Sequence, residues 1–148
     1  MDFKFRKVRD IQDVFVAGKK FEYLAERQLS YKDLETLPVM CLEGNTSTRA
    51  YVEGFLRENG VHLQPEFELA TSDMLIRFAM RGFGIAGVAE DFALEAMEKG
   101  EIFRLHFDRE IPKRHFCIVT DEKVPMTAAA RRFLDLLEDK CTHDKHKS

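Results

Sequence analysis

The sequence predicts an α/β fold, and three observations carry the prediction. The stretch from Glu66 to Asp91, EFELATSDMLIRFAMRGFGIAGVAED, passes from a period of two to a helical period and then to a small-residue apolar run. Elsewhere, short apolar runs such as Leu37–Leu42 and His115–Thr120 alternate with amphipathic segments that close on glycine. The chain is 148 residues long, 45% hydrophobic and 33% charged, which suits one compact soluble domain rather than a disordered or membrane chain.

Taken in order, Phe3-Lys4-Phe5-Arg6 alternates, and Asp13–Ala17 reads as a strand closed by Gly18. Phe21–Gln28 fits a helical turn, and Leu29–Leu34 a polar-capped turn that leads into the strand Leu37–Leu42. Pro38 belongs at the start of that strand, where its missing N–H does least harm. Glu43-Gly44-Asn45-Thr46-Ser47-Thr48-Arg49 is polar throughout apart from its glycine, so it reads as a loop ending in a helix N-cap. The helix Thr48–Asn59 then carries Tyr51, Val52, Phe55 and Leu56 on one face and stops at Asn59-Gly60.

Glu66–Ala70 alternates like a half-buried strand. Ser72 is the expected N-cap of the next helix and Asp73 complements its positive end. Leu75, Phe78 and Ala79 form the apolar face, Gly82 is the left-handed stop, and Gly84–Val88 is a strand buried on both sides. Strand, helix and strand together imply a β-α-β crossover with a parallel pair. Glu90–Lys99 is a further helix with Phe92, Ala93, Ala96 and Met97 inward, Ile102–Phe107 and His115–Thr120 are strands, and Asp108–Arg114 is a polar link. Met126–Lys140 is the last helix, with Thr127 as its cap and Phe133, Leu134 and Leu137 as its buried stripe; Cys141–Ser148 is a fraying polar tail.

Several function classes are disfavoured. No apolar run approaches the roughly 20 residues that span a bilayer, and no signal peptide is visible, so a cytoplasmic location with no membrane partner is expected. A net charge of −3 and a pI near 6.0 argue against a dedicated nucleic-acid face. The three cysteines, Cys41, Cys117 and Cys141, lack metal spacing, and the first two lie in apolar strands as buried thiols. His143-x-x-His146 sits in a Lys-rich tail, and His62, His106 and His115 have no neighbour to orient them. Gly82-Phe83-Gly84 lacks the third glycine of a dinucleotide fingerprint. No G-x-S-x-G, Cys–His pair or phosphate loop is present. The expectation is no enzyme, no cofactor and no metal.

What remains is a binding site. In open α/β sheets ligands lie beyond the carboxyl ends of strands, at helix N-termini. Gly44, Asn45, Thr46, Ser47, Thr48 and Arg49 stand before one helix, and Thr71 and Ser72 before the next. Backbone N–H groups, hydroxyls and a positive helix end together suit a carboxylate or a similar small anion. Glu43 and Asp73 oppose a strongly anionic ligand, and Arg49 offsets one of them. The same hydroxyls would also serve as helix caps.

The order of these pieces resembles the effector-binding domain of LysR-type transcriptional regulators. The resemblance rests on a strand ending in a small hydroxyl residue, a short amphipathic helix and GFGIAGVAED. Upstream it extends through LSYKDLETLPVMCLEGNTSTRAYVEGFLRENGV and downstream through PMTAAARRFLDLL, covering roughly residues 12 to 138. It implies a type II periplasmic-binding-protein-like fold, a mixed sheet with flanking helices, in which one subdomain is complete and a second is partial. Residues 1–17 would be a remnant of subdomain I with the first crossing strand, 18–106 the effector-binding subdomain II, 107–140 the return strand and terminal helix of subdomain I, and 141–148 a tail. No winged helix-turn-helix pattern precedes Phe3, so the chain reads as a fragment of such a regulator.

The resemblance also implies a function. A small-molecule effector would be held by the hydroxyl turns and would act by population shift, reaching DNA only through the absent N-terminal domain of a homo-oligomer. Tyr51, Phe55 and Phe67 would lie on the dimer face, and would form an exposed apolar patch or drive self-association in the fragment. The alternative is a solute-binding module of the same fold without a transcriptional role.

Overall fold

In chain order the elements are β1 (Phe3–Ile11), β2 (Asp13–Gly18), β3 (Gln28–Leu29), β4 (Val39–Leu42), α1 (Ser47–Glu58), β5 (Phe67–Leu69), α2 (Ser72–Met80), β6 (Ile85–Ala89), α3 (Glu90–Glu98), β7 (Ile102–Arg104), β8 (His106–Phe107) and β9 (Arg114–Asp121). The structure, a computed structural model, describes residues 3–121, 127–133 and 135–136. The chain forms two units, one from Gln12 to Lys113 and the other from the segments before Gln12 and after Lys113.

The larger unit is built on a five-stranded sheet of order β5-β4-β6-β2-β7. β4 runs parallel to both β5 and β6, whereas β2 runs antiparallel to β6 and β7. The parallel strands are spaced by α1 and α2, because a parallel return needs a crossover long enough to cover the sheet. All four residues of β4 are buried and all six of β2, as expected of strands covered on both faces. Their side chains alternate between two cores. Phe15, Ala17, Val39 and Cys41 join Val52 and Leu56 of α1 on one face. Val14, Val16, Met40 and Leu42 join Leu75 and Ala79 of α2 and Ala93 of α3 on the other.

Two glycines are required by this packing. Gly82 has φ +79°, and with Phe83 N–H donating to Phe78 O it ends α2 in a left-handed turn. Gly84 brings the backbone against β4, so that a Cβ there would meet Pro38 O at 2.8 Å.

Several expectations need correction. β5 and β6 are parallel but not paired, because β4 lies between them. Thr71, not Ser72, caps α2: its backbone is extended and its hydroxyl accepts from Met74 N–H at 3.2 Å, while Ser72 is already the first helical residue. Phe92 faces outward with 56% exposure, since only Ala93 and Ala96 of α3 are fully buried against the sheet. Ile102–Phe107 is two short strands, because Leu105 N–H turns to Phe15 O and β8 then pairs with β3 instead. The two compact units divide at Ile11/Gln12 and Lys113/Arg114. β2 hydrogen-bonds along its length into the five-stranded sheet, and Tyr31 and Gln12 hold the segment from Arg109 to Ile111 through its carbonyls.

In the smaller unit β1 pairs antiparallel with β9, with a bulge between Lys7 and Arg9. The directly paired Asp10 and His115 bring carboxylate and imidazole to 2.6 Å. Residues 128–133 and 135–136 are helical, and the Thr127 hydroxyl accepts from Ala130 N–H at 3.1 Å. Phe133 is 61% exposed rather than part of a buried stripe. The side chains of Cys117 and Leu134, and residues Leu137, Cys141, His143 and His146, lie outside the described residues.

Candidate functional site

β4 and β5 end together. Leu42 lies opposite Leu69, and Glu43 N–H donates to Leu69 O at 3.0 Å just past the last ladder position. The chain leaves both strands into helices, so the N-termini of α1 and α2 both lie at the carboxyl edge of these paired strands, one on each face of the sheet. That edge is where unpaired helical N–H groups and the positive ends of two helices coincide.

The two turns are built alike. Thr46 caps α1, its hydroxyl accepting from Arg49 N–H at 3.2 Å and donating to Glu43 O at 2.9 Å. Thr71 caps α2 in the same way. Both threonines are therefore committed to holding their own helix. Gly44, Asn45 and Ser47 are exposed, and a Cβ at Gly44 would meet nothing within 4 Å. Among the described residues the Asn45, Ser47 and Ser72 side chains make no hydrogen bond, so their full capacity is open. Thr48 is half-buried at the second helical position of α1.

Arg49 turns inward. Its Nη1 donates to Leu42 O at 3.0 Å and lies 3.2 Å from Glu68 Oε1, while Nε is 3.3 Å from Glu53 Oε2. Only 10% of the side chain is exposed. Burial works against its charge, but Glu68 and Glu53 outweigh it and hold the guanidinium ionised. Arg49 also lines a narrow recess behind the turn with Cys41, Thr48, Val52 and Gly87. Burial pushes the Cys41 thiol up to about 11, so it remains a neutral apolar group.

A second hollow was not legible in the sequence. Asp13, Tyr31, Arg104, His106, Phe107 and Glu110 line it, drawn from three separate segments. Arg104 bridges Glu90 and Glu110, both at 2.8 Å, and Tyr31 stacks on Phe107 with centroids 4.2 Å apart. Tyr31 donates to Arg109 O at 2.6 Å, and burial, then Asp108, pushes its phenol up to about 12. No local spacing links Asp13 and Tyr31 to the 104–110 stretch.

The residues expected on a dimer face do not form one patch. Tyr51 donates to Pro112 O at 2.7 Å, and Phe55 packs edge-on against Tyr31 beneath Arg109. Both are partly buried on the α1 side. Phe67 is exposed and clusters instead with Phe78 and Phe83, beside α2, with centroids 6.4 Å away from each. Among the described residues no group of His, Cys, Asp and Glu is placed to hold a metal, and no helix is long and apolar enough to cross a membrane.

The sequence matches the family of LysR substrate binding domains over residues 1–142. Three solved structures share the fold. The regulatory domain of Synechocystis PCC6803 CcmR in complex with 2-PG is 17% identical, with a TM-score of 0.80 over 95% of this chain and 68% of that one. The effector binding domain of QuiR in complex with shikimate is 10% identical, with a TM-score of 0.76 over 96% and 66%. HinK, a LysR family transcriptional regulator from Pseudomonas aeruginosa, is 16% identical, with a TM-score of 0.73 over 95% and 50%. The chain thus spans about two thirds of the regulatory domains and about half of HinK. Comparison with curated protein sequences finds no match.

Proposed function

Since the chain belongs to the family of LysR substrate binding domains, we propose that it senses a small-molecule effector at the carboxyl edge of β4 and β5. The observation that carries this reading is the pair of hydroxyl-rich helix N-termini that follow two strands ending together, with Leu42 opposite Leu69 and Glu43 N–H bonded to Leu69 O. Asn45, Ser47 and Ser72 supply the side-chain contacts, joined by the N–H groups at the start of each helix. Thr46 and Thr71 act indirectly by fixing those helices, and Gly44 leaves room for the ligand. A hydroxy acid or a carboxylate with neutral polar groups fits this set, since the amides accept negative charge while Glu43 and Asp73 penalise a dianion. The neighbour solved in complex with shikimate, a hydroxy acid, supports the same class here.

The effector would act as a ligand that shifts a conformational population rather than as a substrate that is turned over. In a LysR-type regulator the response would reach DNA through a separate DNA-binding domain within a cytoplasmic homo-oligomer. Of the residues expected on its dimer face, Phe67 alone offers substantial free surface.

A thermal-shift screen against hydroxy acids, amino acids and aromatic acids tests the site. A ligand at a hundred times its Kd stabilises the native state by about 2.7 kcal/mol. The expected result is a compound that raises Tm in the parent and loses most of that effect in Ser47→Ala/Ser72→Ala, which leaves both caps intact. An equal shift in parent and variant would move the site elsewhere.

A further inference from the structure

Arg49 is the only cation in the two turns, yet it stands at the third position of α1, where the helix dipole opposes a positive charge. Such a placement breaks a local rule and calls for a compensating role. The side chain does not face the open edge: nine-tenths of it is buried, and its contacts go to the end of β4, to β5 and to the next turn of α1. It holds the Leu42 carbonyl, the last backbone group before the 43–46 turn, and Glu68, one residue before the carbonyl that receives Glu43 N–H. Its own N–H bonds the Thr46 hydroxyl that closes the same turn.

We propose that Arg49 is the positioning residue of the effector site: it locks the 43–46 turn to the ends of β4 and β5 without touching the effector. This rests on the reading of that edge as the effector site. The charge arrangement explains why contact is not its task. Two carboxylates already lie within 3.3 Å of the guanidinium, so a ligand anion would have to displace a paired group. The geometry also explains why arginine is needed. Nη1 meets Leu42 O and Glu68 Oε1 at once while Nε stands 3.3 Å from Glu53 Oε2 as an ion pair, a charge spread over a plane that a compact lysine ammonium cannot reproduce. The guanidinium is not fully used, because Nε makes no hydrogen bond despite its distance to Glu53. That leaves Leu42 O and Glu68 as the contacts that fix the turn.

Arg49→Lys tests the proposal by residue-resolved hydrogen exchange on the full chain, with Glu68→Gln as a second variant at a half-exposed position that the fold tolerates. The expected result in Arg49→Lys is about tenfold faster exchange at the Glu43 and Thr46 amides, with the β2 and β6 amides changed by less than about twofold. Glu68→Gln should accelerate the same two amides, by about threefold, because a charged acceptor becomes a neutral one. A hydroxy or aromatic acid that stabilises the parent should bind Arg49→Lys about tenfold more weakly. Unchanged exchange at Glu43 and Thr46, or equal acceleration throughout the β2–β6 ladder, would overturn the proposal by making Arg49 inert or a general stabiliser. Accelerated exchange at the two amides with ligand affinity retained would also overturn it. If no compound in the screen stabilises the parent, the effector-site reading fails, and the positioning role fails with it, while the exchange result still reports how Arg49 holds the turn.

Discussion

Replacing Thr71 by alanine removes the only side-chain acceptor of the Met74 amide, and the cost follows from the structure. The bond is 3.2 Å long and exposed, so water can rehydrate the freed N–H, and no cavity forms. The loss should therefore be the typical cost of an N-cap rather than its upper extreme, about 1 kcal/mol. In a domain of this size that corresponds to a fall in Tm of about 2–4 °C. Thr71→Ser, which keeps the hydroxyl, should recover most of it. Ser72→Ala should stay within about 0.5 kcal/mol, since its hydroxyl bonds nothing in the described structure. Urea melts of the three variants decide the matter. A Ser72→Ala cost equal to or above that of Thr71→Ala would refute the assignment of the cap, and with it the claim that Ser72 is free to serve a ligand.

Two further outcomes are expected. Gly84→Ala places a Cβ 2.8 Å from Pro38 O and 3.2 Å from the Met40 side chain, so β4 and the start of β6 must separate, costing about 1–3 kcal/mol in a urea melt. Tyr31 should govern alkaline stability, because its phenol ionises near 12 in the fold against an ordinary value of 10.0. With the folded pKa raised, its contribution is complete below pH 10 and is lost as pH rises towards 12, where the unfolded chain releases the proton first. Urea midpoints on both sides of pH 10 should fall less steeply in Tyr31→Phe than in the parent.

The fold class was legible because the local signals agreed with one another. Period two marked β1 and β5, apolar runs marked β2 and β4, and Gly82 and Gly100, both at positive φ, ended helices where helical spacing ran out. Strand order was not legible, since alternation tells which face a residue takes and nothing about which strand lies beside it. The β-α-β segment was recognised, yet its two strands are held apart by β4, whose four residues are all buried and read equally well as central or paired. Phe92 was misplaced for a related reason. Helical spacing admits it to the apolar stripe of α3, but the inward positions are filled by the small Ala93 and Ala96, which let the helix lie close to the sheet.

The site was legible as a set of turns but not as a division of labour. Hydroxyl residues before a helix cap it, bind a ligand, or both, and only geometry separates these uses. Thr46 and Thr71 are consumed by Arg49 N–H and Met74 N–H, and Arg49 is consumed by Leu42, Glu53 and Glu68. The groups that remain, on Asn45, Ser47 and Ser72, are neutral. On the reading proposed above, discrimination among effectors at this edge would come from hydrogen-bond geometry rather than from a charge contact. Such a site rejects an analogue lacking the matching polar group more strongly than one differing by a methylene, because a buried polar group left unpaired costs more than lost apolar area. The rigid turn held by Arg49 is what makes that kind of selection workable, since a turn free to move could re-pair its amides with water and lose the penalty.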